Sequence, residues 1–494
     1  MKKVWLFPIL TLLLCLSSCT FNSFAPFTSF PSINDDYQLI QGDNYYKPDK
    51  YTIDYQTIFR SFPHETDRDV NLSYTGDAKL LVIPVSFSDY PCSMTKLGCN
   101  DTRTQIKNAF FGKKSRTNGE SIASYYAKSS FGKLRITGEV SDWYESDMSS
   151  LEIKDKENSQ NNLKTLLLSA VEWVREKVDI SKYDQDKDGF IDAVCFIYSA
   201  PYEYNTPLWA YKSTINSKSN IDSPSLKNYV WESCSFMNLK NPFSKPETRT
   251  YIHEVGHLLG LYDYYPLQES QSFFPLGKSD MMDLNIGDHN VFSKMLLNWT
   301  RPYVVTDECE ITIHPSYLNG ECILVKNNWN GSALDEYILL EFYSPKGLNE
   351  RDSKLSFIYN GNEKVNLISK NGIKIYHVDA RIGHFKTYSN SPFIGYDSDA
   401  IRQEVERLNE NGQLTYQKIA NTNTASLSPD GNYLITLLEP DGSTFNRVSA
   451  SNKTLFTDGS ELFDFTFNDG SNLGYKITIK TVKSKSATIV FSKI

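Results

Sequence analysis

Residues 251–265 read YIHEVGHLLGLYDYY and contain two histidines and two acidic residues in the pattern HExxHxxGxxD. On a helix, His253 and His257 lie one turn apart on the same side, so both imidazoles can bind one tetrahedral zinc ion. Glu254 is then placed to hold and deprotonate a zinc-bound water. This spacing predicts a catalytic zinc site on a helix.

The residues after the histidines predict how the site is completed. Gly260 can end the helix in a conformation that glycine adopts at little cost, and the chain can then turn back to bring Asp263 to the metal. The alternative is an ordinary amphipathic helix with two surface histidines. The whole chain contains only seven histidines, so chance rarely produces this spacing, and the added glycine and aspartate favour the zinc site further.

The stretch resembles the immune inhibitor A-like zinc metallopeptidases, a family related to the metzincins. That resemblance implies an α+β metzincin-like catalytic domain and a Met-turn, formed by Met281 and Met282, that places Met282 beneath the zinc. It also marks one departure, because most metzincins have a histidine where this chain has Asp263. Further segments that are similar to the family are LVIPVSFSD at 81–89, SIASYY at 121–126, SSFGKL at 129–134 and GIKIYHVD at 372–379.

Length and charge bound the wider organisation. A chain of 494 residues is too long for one hydrophobic core, so we expect two or three domains. The catalytic domain is predicted at 51–305, with its core from about residue 79, and is followed at 306–494 by an all-β, sandwich-like region or two small β modules. The net charge of −8 and the lack of a basic stripe argue against a nucleic-acid partner. We expect a monomer.

The N-terminal segment predicts export. Two lysines precede an apolar run at residues 4–16 that is too short to span a bilayer and leads to Cys19. This arrangement resembles a bacterial lipoprotein signal, with residues 1–18 removed and Cys19 acylated. Residues 19–50 would then form a flexible tether that anchors the protein by lipid to the outer face of the membrane. The alternative is an ordinary secretory signal with a stray cysteine.

Six further cysteines are spaced as three local pairs, and export makes their oxidation plausible. None has the CxxC spacing of a structural zinc site, so the alternative is a set of buried free thiols. The predicted disulfides are Cys92–Cys99, Cys195–Cys234 and Cys309–Cys322.

The segment DQDKDGFID at 184–192 places carboxylates at alternate positions around a glycine, as in a calcium-binding loop. Its twelfth position is Cys195 rather than glutamate, so a complete EF-hand is not expected. A structural calcium loop and a solvated acidic turn are the two interpretations. The calcium ligands would be Asp184, Asp186, Asp188, the carbonyl of Phe190, and Asp192.

The elements around the zinc stretch follow from periodicity and from the resemblance. Apolar residues at helical spacing predict an amphipathic helix at 162–178. The active-site helix is predicted from about Pro246 to Leu259. Residues 208–211 resemble the family's strand above the cleft, where an extended peptide could pair as an added strand. His289 either lines the pocket, where it could stabilise an oxyanion, or is a structural histidine.

Together these features predict a surface-anchored zinc metalloendopeptidase that acts on proteins or peptides, with Glu254 as general base. The competing hypothesis is a non-catalytic surface binding or adhesion protein on a metallopeptidase scaffold. Retention of Glu254 argues against that hypothesis, because a scaffold without catalysis has no need of this carboxylate. A zinc hydrolase that acts on glycan or lipid is a weaker third possibility.

Overall fold

The computed structural model describes residues 44–52, 71–265, 274–354, 356–359, 363–386, 404–408, 413–417, 421 and 432–494. The predicted signal segment, Cys19 and most of the predicted tether lie outside these ranges. The fold is mixed, with several sheets, 24% helix and 26% strand, which is compatible with the predicted α+β class. None of the helices within these ranges has the length and apolar character needed to cross a membrane.

The helices within the described residues are α1 Gly98–Phe111, α2 Ile122–Ser129, α3 Ser150–Ile153, α4 Ser159–Arg175, α5 Arg249–Leu258, α6 Met281–Leu284, α7 Val291–Leu296 and α8 Ser316–Asn319. The strands are β1 Tyr45–Tyr46, β2 Gly76–Ser86, β3 Leu134–Val140, β4 Tyr144–Glu145, β5 Val194–Tyr198, β6 Tyr211–Thr214, β7 Asn228–Ser233, β8 Tyr303–Val305, β9 Cys309–Ile313, β10 Cys322–Val325, β11 Glu336–Tyr343, β12 Ser356–Tyr359, β13 Glu363–Asn366, β14 Gly372–Asp379, β15 Ile382–Lys386, β16 Glu404–Leu408, β17 Gln413–Gln417, β18 Ile435–Leu437, β19 Glu461–Leu462, β20 Tyr475–Val482 and β21 Ala487–Lys493.

The first sheet positions the candidate site. Its strand order is β3-β2-β5-β7-β6, and all neighbours are parallel except the edge strand β6, which runs antiparallel to β7. Leu81 and Ile83 of β2 pack with α4 on one face, whereas Leu80 and Val82 pack on the other face in a core that includes α5. Because helices cover both faces, β2 reads as a continuous apolar run rather than an alternating pattern.

Most strands after residue 302, together with β1, form two further large sheets. One has the order β1-β8-β10-β11-β14-β18 and the other β19-β20-β21-β9. Side chains from both sheets share one apolar core, with Ile338 of β11 and Ile477 of β20 among its members. The opposite face of β11, with Tyr337 and Leu339, packs in the same core as the active-site helix. The catalytic and β-rich regions are therefore joined by buried apolar surface.

Polar contacts reinforce this junction. Arg351 pairs with Glu247, just before α5, and Arg249 in the first turn of α5 pairs with Asp352. The other carboxyl oxygen of Asp352 accepts a hydrogen bond from the Gly287 amide at 2.6 Å. These partly buried pairs link the start of α5 to the segment between β11 and β12.

Three predicted boundaries differ from the structure. The predicted tether to residue 50 ends earlier, because Tyr45 is buried and pairs with Val305 in β1 and β8. The edge strand β6 begins only at Tyr211, the last residue of the predicted 208–211, because 208–210 lie in a turn and bend before it. Helix α5 begins at Arg249 rather than near Pro246, so the proline lies before the helix and not in its first turn.

Among the predicted disulfides, Cys92–Cys99 is formed, with a Cα–Cα distance of 4.8 Å, but the other two are not. Cys195 is a buried free thiol in β5 and lies opposite Val230 of β7. Cys234 follows β7 four residues beyond Val230, which displaces it about 13 Å along the strand direction. A disulfide needs Cα atoms within about 7 Å, so register forbids the predicted pair.

Cys309 and Cys322 are also free thiols in the structure. Cys309 lies in β9 and packs beside the core between the two C-terminal sheets, whereas Cys322 of β10 points into the core that contains α5. The prediction of this disulfide was wrong because the turn that joins the two segments connects different sheets. Their side chains belong to separate cores.

Candidate metal centre

Helix α5 carries the two histidines and is fixed from both ends. At its start, Tyr251 donates a hydrogen bond from its hydroxyl to the Ser233 carbonyl at the end of β7, at 2.7 Å. At its end, Gly260 has a φ of +87°, and the Leu261 amide bonds back to the Gly256 carbonyl at 3.1 Å. This glycine cap is the one predicted from sequence.

Both histidines present the same ring nitrogen to the site. Nδ1 of His253 lies 2.9 Å from the Met281 carbonyl, and Nδ1 of His257 lies 2.8 Å from the Leu261 carbonyl. A carbonyl can only accept, so each Nδ1 carries a proton and donates it. Nε2 of each neutral ring is then a free lone pair, as a metal ligand requires.

Asp263 closes the arrangement on the far side of the glycine turn. Its Oδ1 lies 2.9 Å from Nε2 of His253 and 3.7 Å from Nε2 of His257. Two ligand atoms of one tetrahedral zinc ion lie about 3.3 Å apart, given bonds of about 2.0–2.1 Å. The two observed separations bracket that spacing. Oδ1 is buried and faces the two imidazole nitrogens. The residues therefore fit a divalent metal such as zinc.

Glu254 lies beside this set without completing it. Its Oε2 is 3.9 Å from Nε2 of His257 and has no hydrogen-bond partner among the described residues. Burial raises the pKa of Glu254 to about 7, with a further contribution from Asp263 and an opposing one from His253. A carboxyl group with a pKa near neutrality can both accept and return a proton at physiological pH.

The charges of the ligand residues depend on one another. Burial lowers the pKa of His253, but the hydrogen bond and charge of Asp263 outweigh it and raise the value to about 9. Burial also lowers the pKa of His257, to about 4. Burial opposes ionisation of Asp263, yet the two histidines hold its pKa below the ordinary value. An ionised Asp263 therefore favours one positive charge beside it. In the metal-free protein a proton on His253 supplies that charge, and a metal ion can supply it instead.

Met282 packs against α5. It is fully buried in α6, and its sulfur lies 2.7 Å from where a Cβ on Gly256 would stand. The carbonyl of its neighbour Met281 receives the His253 hydrogen bond. The same short helix thus both supports α5 and orients one of the two histidines.

His289 is not exposed to a pocket. Its side chain is 1% exposed and packs among the rings of Tyr125, Tyr126 and Trp299, at centroid distances of 5.6, 5.8 and 6.1 Å. Neither ring nitrogen has a hydrogen-bond partner among the described residues, so His289 is buried but is not a hydrogen-bonded structural histidine there. An oxyanion role is not supported, because the ring is enclosed by aromatic side chains.

The acidic loop brings together three of its five predicted calcium ligands. Carboxyl oxygens of Asp184, Asp186 and Asp188 all lie within 4.8 Å of one another. Asp192 is not in this group and accepts hydrogen bonds from the Gln185 amide at 3.1 and 3.3 Å. Backbone amides also bond to Asp184 and Asp188, so the loop is ordered by its own hydrogen bonds.

Two residues near the site were not anticipated. Tyr265 donates a hydrogen bond to the Asp263 carboxylate and so supports the third ligand. Glu232 is a fully buried carboxyl group of β7, behind the active-site helix. Its signal in the sequence was an acidic residue within a strand that is otherwise apolar and central, where charge is rarely tolerated.

The fold thus brings two histidines of α5 and the carboxylate of Asp263, which follows the Gly260 turn, together in one candidate metal centre. In comparisons with known proteins, no family model matches the chain, and no curated protein matches it either.

Proposed function

We propose that this protein is a zinc metalloendopeptidase that hydrolyses peptide bonds in proteins. The observation that carries the proposal is the convergence of Nε2 of His253, Nε2 of His257 and Oδ1 of Asp263, with Glu254 beside them. These residues would hold the zinc. When bound, zinc supplies a Lewis acid that polarises the scissile carbonyl and lowers the pKa of water.

The protein's own groups then perform the proton transfers. Glu254 accepts a proton from the attacking water and later returns it to the nitrogen of the departing amine. Its raised pKa suits both steps, since neither protonation state is strongly favoured near neutral pH. The carbonyls of Met281 and Leu261 keep each histidine in the tautomer that the site needs.

The order of the first sheet supports a peptide rather than a smaller substrate. Edge strand β6 is antiparallel to its neighbour and is the terminal strand of this sheet among the described residues. An extended peptide could add to that edge, with its backbone bonded to β6 and its scissile bond near the zinc. The resemblance to immune inhibitor A-like peptidases and metzincins agrees with this arrangement, as does the packing of a helix beneath such a sheet.

The remaining parts of the proposal concern location and stability. We infer from the N-terminal sequence that the protein is exported and lipid-anchored through Cys19 to the outer face of a bacterial membrane. The C-terminal sheets would form a sandwich-like region that supports the catalytic part. A structural calcium ion at Asp184, Asp186 and Asp188 would tighten the acidic loop that leads into β5.

Glu254→Gln provides the decisive test. The variant should bind about one zinc per chain, as wild type does, and lose casein hydrolysis by at least about 100-fold, because the amide cannot accept the proton. Zinc content is measured by elemental analysis of the protein, and hydrolysis by zymography with and without chelator. Equal cleavage by the variant would exclude the mechanism, and absence of cleavage by zinc-loaded wild type would favour the non-catalytic binding protein.

Asp263→Asn is the matched variant for metal binding. Because the amide oxygen is neutral, we expect zinc affinity to fall by at least about 10–100-fold, in contrast to Glu254→Gln. Competition with a coloured chelator measures this affinity. Asp186→Asn, outside the site, serves as the control and should bind zinc as wild type does. Unchanged zinc affinity in Asp263→Asn would show that another carboxylate completes the site.

A further inference from the structure

Glu232 is a buried carboxyl group that the proposed reaction does not use. Its exposed fraction is 0%, and neither of its carboxyl oxygens has a hydrogen-bond partner among the described residues. Proteins leave few buried polar atoms unpaired, because each costs about 1–3 kcal/mol. Two unpaired polar atoms in the core make Glu232 costly for stability. Its presence there therefore suggests a functional role.

The side chain of Glu232 faces the active-site helix. In β7, Trp231 packs with α4 on one side of the sheet, whereas Val230 packs on the side of α5. Side chains alternate along a strand, so Glu232 shares the face of Val230. The hydrogen bond from Tyr251 to the Ser233 carbonyl fixes the first turn of α5 at this end of β7.

Glu254 comes to the same place from the helix. It lies three residues after Tyr251 and hence on the same side of α5. Burial is the main cause that raises the pKa of Glu232 well above its ordinary value, and the charge of Glu254 is the second. Cys195 of β5 lies opposite Val230, two residues before Glu232, so its thiol is on the same face of the sheet.

An ionised Glu232 would be a fully buried charge with no hydrogen-bond partner among the described residues, which is very costly. Glu254 belongs to the open side, near the ligand atoms of His257, whereas Glu232 is enclosed between sheet and helix. The enclosed group is the one that keeps its proton. Oε2 of Glu254 lacks a donor, and a protonated Glu232 has one to offer.

We propose that Glu232 is a positioning residue that remains protonated and donates a hydrogen bond to Glu254, directly or through one buried water. The proton stays on Glu232 throughout, and Glu254 alone exchanges a proton with the substrate. The bond would hold the base in one orientation, as supporting side chains do for catalytic groups elsewhere. The effect of Glu232 on catalysis rests on the proposed peptidase function. The presence of the proton on Glu232 does not.

Glu232→Leu and Glu232→Gln in the full chain test the proposal. The leucine variant should lower kcat by about 10-fold or more with little change in KM, because substrate contacts are unaffected. It should also unfold at a higher temperature than wild type, because two unpaired polar atoms are removed. The glutamine variant can still donate from its amide and should keep kcat within about threefold of wild type.

Infrared difference spectroscopy supplies a readout that does not depend on activity. Wild type minus Glu232→Gln should show the carbonyl band of a protonated carboxylic acid, and that band should shift in a Glu254→Gln background. A spectrum with only carboxylate bands would overturn the proposal, as would wild-type kcat in the leucine variant. Lower thermal stability in both variants would make Glu232 a structural residue.

Failure of the two proposals can be told apart. If wild type shows no hydrolysis at all, the peptidase function fails, while the infrared band still decides where the proton lies. If Glu254→Gln is inactive and Glu232→Leu fully active, the peptidase function stands and the role of Glu232 is refuted. Should the leucine variant fail to fold, the glutamine variant and the infrared band decide the outcome.

Discussion

Asp283, one residue after Met282, is a buried acid whose charge the fold disfavours. Its Oδ2 accepts a hydrogen bond from the Lys278 amide at 2.7 Å, but Oδ1 has no partner among the described residues. Burial and then the charge of Asp280 raise its pKa to about 8. Between about pH 4 and about pH 8, Asp283 is protonated in the folded protein but ionised in the unfolded chain. The protein therefore becomes less stable as pH rises over this range.

Asp283→Asn should remove this pH dependence. As pH rises over that range, the unfolding free energy of wild type should fall relative to that of the variant. The expected fall is up to about 1.4 kcal/mol per pH unit. Urea denaturation at about pH 5 and about pH 8 measures it. Asp186→Asn, in the exposed part of the acidic loop, is the control and should show no such growth. A difference that is the same at both pH values would contradict the assignment.

At this scale the sequence predicted the chemical groups but not their surroundings. His253, Glu254 and His257 follow from helical spacing, and Asp263 from the glycine that ends the helix, because all are local. The carbonyl of Met281 and the carboxyl of Glu232 come from distant segments, and only folding brings them to α5. A glutamate in a strand reads as solvent-exposed until the opposite face is known to be covered.

Among the elements, the turn after α5 controls two ligands at once. The Gly260 cap places the Leu261 carbonyl against His257 and directs the chain toward Asp263. Gly260→Ala should lower the unfolding free energy by about 1–2 kcal/mol, because a Cβ is strained at positive φ. Zinc affinity should fall as well. Gly260→Asn, which tolerates this conformation better, is the matched control.

Thermal unfolding and zinc titration of both variants provide the measurements. Equal behaviour of the alanine and asparagine variants would mean that backbone strain at residue 260 does not set the ligand geometry. A loss of zinc affinity in the alanine variant without loss of stability would instead assign the effect to the position of Asp263 alone.

Element identity was largely predictable, whereas pairing between elements was not. The amphipathic helix expected at 162–178 is α4, Ser159–Arg175. Apolar period and turn residues carry that information locally. The Cys195–Cys234 disulfide failed because the register of β5 on β7 is a long-range property. The edge strand was displaced by three residues for a similar reason, since 208–210 carry the apolar pattern yet form turns.

For the whole molecule, the main finding is that the apolar core around α5 includes strands from the β-rich region. Tyr337 and Leu339 of β11 and Val378 of β14 belong to the same core as Val255 of α5. A division at residue 305 therefore cuts through buried surface. The ion pairs of Arg351 with Glu247 and of Arg249 with Asp352 cross the same boundary.

A chain that ends at residue 305 should not fold into a zinc-binding domain. It would lose the apolar cover of α5 and expose that side of the core to water, at a cost of about 25 cal/mol per Å² of apolar surface. Calorimetry should show no cooperative transition for the fragment, and zinc titration no specific binding, while the full chain shows both. A soluble fragment that unfolds cooperatively and binds zinc would contradict this view.

The pairing of Tyr45 with Val305 has a consequence for the order of events during folding. It joins residues 260 positions apart, and loops of that length close slowly. Helix α5 is synthesised well before β11 and β14, so its apolar side stays uncovered while the later strands emerge. The candidate metal centre would therefore form only after nearly the whole chain has been made.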